Sequence, residues 1–210
     1  KTKIVFIANP DNPTGTYATE EEVRRFLKKV GSRTIVFFDE AYYEFAQKLY
    51  DYPNTLPYLS RKNIIITRTF SKIYALAGLR VGYGLAKKEL IEAMDKVREP
   101  FNVNSVAQIA SLAALRDRNF VSKSLRLVDN GRKYIYHNLK LLGYEYIPSA
   151  TNFVLINLMK DSGKVYKRLL KKGIIVREMS AWDLNGFIRV TIGTPKENKK
   201  FIETLKKVTQ

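Results

Sequence analysis

The chain has 210 residues, 45% of them hydrophobic and 27% charged, with 37 basic side chains against 20 acidic ones and no cysteine. That length and apolar content suffice for a buried core, in one large domain or two small ones, and they exclude a disordered chain; the missing cysteines exclude a disulfide framework or thiolate metal site, and no apolar run reaches the length of a membrane span. The net charge of +17 raises the question of a nucleic-acid ligand, but the basic residues are spread along helical segments (Lys28-Lys29, Lys87-Lys88, Lys171-Lys172, Lys199-Lys200, Lys206-Lys207) without interleaved aromatics, so solvated helix faces account for them and neither nucleic acid nor membrane is expected as a partner.

Short β-branched and aromatic runs predict strands at residues 4–7, 34–38, 63–67 and 81–85. The first begins almost at once, as in a segment of a longer chain, and no signal peptide is read. Thr19-Glu20-Glu21-Glu22 reads as a capping box for a helix with Val23, Phe26, Leu27 and Val30 on one face and Arg24, Arg25, Lys28 and Lys29 on the other. Apolar strands alternating with helices imply a mainly parallel sheet covered on both sides. From Lys88 the pattern turns helical, with helices over 89–98, 105–116 and about 119–142, and Asn104 or Ser105 capping the second. Beyond Gly143 it becomes α+β: strands near 144–147 and 153–158, a helix to Lys172, strands near 174–177 and 187–192, and a last helix that Pro195 suits at its first turn. The expected division is 1–120 for an α/β sheet domain and 121–210 for a linking helix and a small α+β domain.

Within this frame, several polar residues fall where strands end. Asp39 follows Ile35-Val36-Phe37-Phe38, at the carboxyl end of a strand, where open α/β sheets bind ligands; taken alone it reads more readily as a helix N-cap or surface turn residue. Tyr42 lies three residues on. Thr69, Ser71 and Lys72 follow the third strand, and Arg80 follows the small, apolar run Ala75-Leu76-Ala77-Gly78-Leu79. Asn12 sits in Asn9-Pro10-Asp11-Asn12-Pro13-Thr14-Gly15, a turn stiffened by two prolines. An amine, a carboxylate, a phenol, hydroxyls, an arginine and an amide are the groups needed to hold pyridoxal 5'-phosphate as a Schiff base and use it as an electron sink. Lys72 would carry the Schiff base and then move the substrate proton. Asp39 would pair with the pyridine nitrogen; at an effective dielectric of 20 a contact pair is worth about 4 kcal/mol, roughly three pKa units, enough to keep the ring protonated. Tyr42 and Asn12 would hydrogen-bond the phenolic oxygen, while Thr69, Ser71 and Arg80 would take the phosphate.

The motifs Asn-Pro-Thr-Gly (12–15), Asp-Glu-Ala-Tyr (39–42) and Thr-Phe-Ser-Lys (69–72), with Arg80 eight residues further on, resemble the fold-type I PLP-dependent aminotransferases, the histidinol-phosphate aminotransferase branch above all. Leu-Ala-Gly-Leu-Arg-Val-Gly-Tyr (76–83), Pro-Phe-Asn-Val (100–103), Thr-Asn-Phe-Val (151–154), Gly-Ile-Ile-Val-Arg (173–177) and Ile-Arg-Val-Thr-Ile-Gly (188–193) extend the resemblance over essentially the whole chain. It implies an α/β PLP-transferase fold of the aspartate aminotransferase type, with residues 1–120 as the C-terminal part of the large domain and 121–210 as the linking helix and small domain. It implies that Asn12, Asp39, Tyr42, Thr69, Ser71, Lys72 and Arg80 hold the cofactor, that Arg189 takes a substrate carboxylate, and that Arg177 belongs with phosphate-bearing substrates; Asn152 is a further substrate-side candidate. The family's glycine-rich phosphate loop, ring-stacking aromatic and partner-subunit tyrosine precede the first motif and are not in this sequence, so this segment by itself should bind PLP poorly.

The expected activity is transamination between L-histidinol phosphate and 2-oxoglutarate or glutamate, by a cytoplasmic homodimer acting on small molecules in histidine biosynthesis. Alternatives within PLP chemistry are an aromatic or broad-range aminotransferase and a phosphothreonine-type decarboxylase. An alternative of another class is the aminotransferase-like domain of a DNA-binding transcription regulator. His137 reads as a surface or packing residue and Trp182, near Asp183 and Gly186, as a loop aromatic; no acidic or histidine cluster has metal-ligand spacing, and Ser71 has no histidine partner for hydrolase chemistry.

Overall fold

The computed structural model describes residues 1–60 and 63–209. By its internal contacts the chain forms two compact units, one of Lys1–Asp11 with Tyr17–Ser122, the other of Asn12–Thr16 with Lys123–Gln210.

The first unit is built on a four-stranded sheet: β1 (Ile4–Ala8), β2 (Ile35–Asp39), β3 (Ile64–Thr69) and β4 (Gly82–Ala86), in that spatial order. β1, β2 and β3 run parallel and β4 is antiparallel to β3. Ala8, Asp39 and Thr67 stand in register, so the carboxyl ends of the parallel strands line up along one edge. Helix α1 (Glu20–Lys29) starts at the capping box the sequence predicts: the Thr19 hydroxyl accepts from the Glu22 amide, and the Glu22 carboxylate accepts from the Thr19 amide at 2.8 Å. Its Val23 and Leu27 pack on Val36, Phe38, Ile64 and Ile66. Each such side chain taken out of water contributes on the order of 2 kcal/mol. Sheet coverage on both sides is not realised at the edge strand: Ile4 and Phe6 of β1 are 46% and 71% exposed. Among the described residues β1 pairs with β2 alone; its Ile7 joins the cluster under α1, while Ile4 and Phe6 alternate onto the other face of the strand. The short α2 (Tyr43–Ala46) follows β2. Helix α3 (Lys88–Asp95) is shorter than the expected 89–98, and α4 (Ser105–Arg116) is capped by the Asn104 side chain, which accepts from the Ala107 amide at 2.8 Å.

The long helix α5 (Arg118–Leu141) runs in sequence from the first unit into the second. The second unit has its own four-stranded sheet, β5 (Glu145–Ile147), β6 (Phe153–Asn157), β8 (Phe187–Thr191) and β7 (Arg177–Glu178), antiparallel throughout. Helices α6 (Ser162–Lys171) and α7 (Pro195–Thr209) complete it, with Leu155, Ile156, Leu169, Ile188 and Leu205 fully buried. The strand expected over 174–177 is reduced to β7. Gly173 takes φ +73°, its amide donates to the Leu170 carbonyl at 2.9 Å, and the Ile174 amide donates to Leu169 at 3.0 Å. This double closure of α6 uses amides that a longer strand would have needed for its ladder.

Candidate functional site

In the first unit, the reactive side chains stand on two loops at the carboxyl edge of the sheet. Asp39 is the last residue of β2; its carboxylate is exposed, and its Oδ1 accepts the Ala41 amide at 3.1 Å. Tyr42 is buried, and the Lys72 Nζ lies 5.1 Å from the centre of its ring, within range of a cation–π contact. Thr69 ends β3, and its Oγ1 accepts the Ser71 amide at 3.0 Å, leaving the hydroxyl proton for another acceptor. Lys72 is half-buried in the turn that follows, its carbonyl accepting the Ala75 amide at 3.0 Å. Arg80 takes a left-handed conformation (φ +52°), is exposed, and donates from Nη1 to the Ala77 carbonyl at 2.7 Å, so one of its five N–H bonds is engaged there.

Sequence reading missed a charged cluster behind these loops. Glu40 is 1% exposed and Glu44 6%. Arg68, in β3, donates from Nε to Glu40 Oε2 at 2.9 Å, with its Nη2 2.8 Å from the same oxygen. The Thr55 hydroxyl donates to the other Glu40 oxygen. The Arg68 guanidinium lies 3.3 Å above the centre of the Tyr43 ring. Burial, then the charge of the neighbouring Glu44, pushes the Tyr74 phenol up to about 12. Burial likewise raises the Glu44 carboxyl above its ordinary value. One signal in the sequence pointed here: Arg68 interrupts the otherwise uncharged strand Ile64-Ile65-Ile66-Thr67-Arg68-Thr69, and a charge in a buried strand needs a partner.

In the second unit, Arg177 of β7 and Arg189 of β8 are direct cross-strand partners. Like charges in that position oppose strand pairing. Both line one cleft of about 560 Å³, together with Tyr166, Glu178, Ala181 and Thr191. Arg189 Nη1 donates to Asn12 Oδ1, and its guanidinium carbon lies 5.0 Å from the centre of the Phe153 ring. Arg177 sits 5.0 Å over the ring of Trp182, an aromatic that sequence alone assigned to a loop and that lies in a single 3₁₀ turn. Glu178 does not neutralise the pair directly: Ser180 and Ser162 hydroxyls donate to it at 2.6 and 2.7 Å and hold its carboxyl below the usual range. Asn152 lies just before β6, its carbonyl accepting the Ile192 amide at 2.9 Å, and is not among the cleft's lining residues. Asn12 and the two arginines are thus brought together, and so are Tyr42 and Lys72; His137 is exposed on α5.

Residues 1–205 match the family model for aminotransferase class I and II. The chain is 46% identical to histidinol-phosphate aminotransferase 2 of Carboxydothermus hydrogenoformans over 100% of its own length and 58% of that protein, and 45% identical to histidinol-phosphate aminotransferase of Moorella thermoacetica, covering 99% and 54%. It superposes on the crystal structure of histidinol-phosphate aminotransferase from Sinorhizobium meliloti in complex with pyridoxal-5'-phosphate with a TM-score of 0.91 at 33% identity, covering 99% of this chain and 57% of that one. The chain therefore spans a little over half the length of the relatives it matches. Its architecture is the aspartate aminotransferase-like fold. With the motifs in order and the family match running nearly end to end, this chain belongs to the class I and II aminotransferases.

Proposed function

We propose that the protein of which this chain is part transfers the amino group of L-histidinol phosphate to 2-oxoglutarate, giving glutamate and the corresponding ketone, with pyridoxal 5'-phosphate as cofactor. The residues present fit that group chemically: one half-buried amine beside an aromatic face, one exposed carboxylate at a strand end, and hydroxyl and guanidinium donors on the following loop. When bound, PLP supplies an electron sink for the carbon that bears the amino group. Lys72 Nζ would anchor the cofactor and, once displaced by the incoming amine, hold the proton that leaves the substrate carbon. The Asp39 carboxylate would keep the pyridine nitrogen protonated. Thr69, Ser71 and Arg80 would receive the phosphate, and Tyr42 and Asn12 the phenolic oxygen. On the substrate side, Arg177 and Arg189 would bind the phosphate in one half-reaction and a carboxylate in the other, with Asn152 as a further contact.

The observation that carries this reading is the register of Arg177 opposite Arg189 in one cleft. Two fixed guanidinium forks suit a phosphate dianion better than one. Residues 1–120 would be the C-terminal part of the large cofactor-binding domain and 121–210 the linking helix and small domain, in a cytoplasmic homodimer. The test is steady-state kinetics of the full-length protein on L-histidinol phosphate and L-phenylalanine. A kcat/KM at least about 100-fold higher for the phosphorylated substrate is expected, the worth of one to two charge-assisted hydrogen bonds. Equal rates would leave an aromatic or broad-range aminotransferase, and release of carbon dioxide from phosphothreonine a decarboxylase. Salt-dependent DNA binding without turnover would indicate the regulator class.

A further inference from the structure

The two loops that carry Asp39, Tyr42 and Lys72 are joined by three separate contacts, none of which involves those residues themselves. Glu40, next to Asp39, is paired with Arg68 at the end of β3, one residue before Thr69. Tyr43, next to Tyr42, lies under the same guanidinium at 3.3 Å. Glu44, two residues beyond Tyr42, lies within reach of the Tyr74 hydroxyl, two residues beyond Lys72. Backbone bonds run alongside: the Glu40 amide donates to Thr67 at 2.9 Å, and the Tyr43 amide to Glu40 at 3.0 Å. Two buried carboxylates around one half-buried arginine are an expensive core for a domain of this size, because replacing such groups with apolar ones is often neutral or stabilising. Packing alone does not account for them. Hydrogen bonds and ion pairs, unlike apolar contacts, have direction, and they fix distance and angle between the segments they join.

We propose that Glu40, Arg68, Glu44 and Tyr74 form a positioning clamp that locks the Lys72 turn to the Asp39–Tyr42 loop and so holds the Lys72 amine over the Tyr42 ring. None of the four touches cofactor or substrate in this assignment; they act through Tyr42 and Lys72. Tyr74 is the most informative member. Its ring packs on Phe70 at 5.1 Å between centres, so Tyr74→Phe keeps the packing and removes only the hydroxyl that faces Glu44.

The proposal rests on the PLP reading, and its test is arranged so that the two fail separately. Borohydride fixation of PLP on Lys72 in the full-length wild-type protein decides the PLP reading. The clamp is then read from the full-length Tyr74→Phe and Glu40→Gln variants, each compared with wild type per bound cofactor. The expected result for Tyr74→Phe is a kcat about tenfold lower, a KM for the amino donor within about twofold, and a weaker circular-dichroism band of the bound cofactor in the visible range, because a lysine free to swing no longer holds the ring in one asymmetric setting. Glu40→Gln should show the same split, more strongly. If Glu40→Gln does not fold, Tyr74→Phe alone decides. Any other pattern, including a lower melting temperature with wild-type kcat and wild-type circular dichroism, overturns the clamp.

Discussion

The two units position their candidate functional side chains by different physical means. In the first, Asp39, Thr69 and Lys72 stand at or beyond the ends of parallel strands, so their places depend on loops. In the second, Arg189 and Arg177 stand within an antiparallel ladder whose hydrogen bonds set their spacing directly. The contrast shows in what surrounds each group. Behind the loops lies a buried, directional polar cluster. Beside the ladder arginines lie the aromatic faces of Phe153 and Trp182, and the Asn12 amide oxygen accepts from Arg189. Loops need external bracing to hold an amine in place, whereas a ladder does not; a ladder can instead carry two like charges face to face because the rest of the sheet holds the strands together.

Substitutions can break or sharpen that contrast. The largest effect is expected at Lys72, where loss of the amine removes both anchorage and proton transfer. In the full-length protein Lys72→Ala should abolish borohydride-fixed PLP label on the protein and lower turnover by about 10⁴-fold; a variant still labelled and active would mean that the first unit's loops do not carry the chemistry. Next comes Asp39→Asn, expected to lower kcat by about 100-fold or more from the lost ion pair to the ring nitrogen. The thermal midpoint should be little changed, because the side chain is exposed and its bond to the Ala41 amide survives in an amide. Arg177→Ala is expected to act on KM rather than kcat, raising it about tenfold or more for the phosphorylated substrate, the scale of one charge-assisted hydrogen bond, and less for glutamate. Equal increases for both substrates would show that the cleft reads charge without regard to phosphate.

The smallest effect concerns pH. Burial raises the Glu44 carboxyl above its ordinary value of 4.5, so the neutral form is favoured in the folded state. Its contribution to stability is complete below pH 4.5 and is lost as pH rises through the raised folded value. Glu44→Gln removes that loss, so the unfolding free energy of the variant should decline less than that of wild type as pH rises from 4.5 toward neutrality. Parallel curves in denaturant titrations at a series of pH values would show that Glu44 is not buried as a titrating group in solution.

Much of this molecule was legible in its residue order because the relevant signals are local. The capping box at Thr19, the Asn104 cap, the helix over 105–116, Pro195 at a helix start and the strand end at Asp39 all follow from side chains within a few positions of each other. So do the motifs that carry the family resemblance, since their meaning lies in short runs and their order. The failures came where local and long-range demands competed. Residues 174–176 have the composition of a strand, but closing α6 with a glycine turn claimed the Ile174 amide. Arg68 and Glu40 are 28 positions apart, and nothing near either one names the other. Only the parallel register of β2 and β3 brings them together, just as only the antiparallel register of β7 and β8 sets Arg177 opposite Arg189. Residue types and their short-range spacing therefore determined the elements and the chemical repertoire. Which charges face which was decided by strand pairing, because an ion pair depends on distance in space, and sequence separation carries no information about that until the chain has folded.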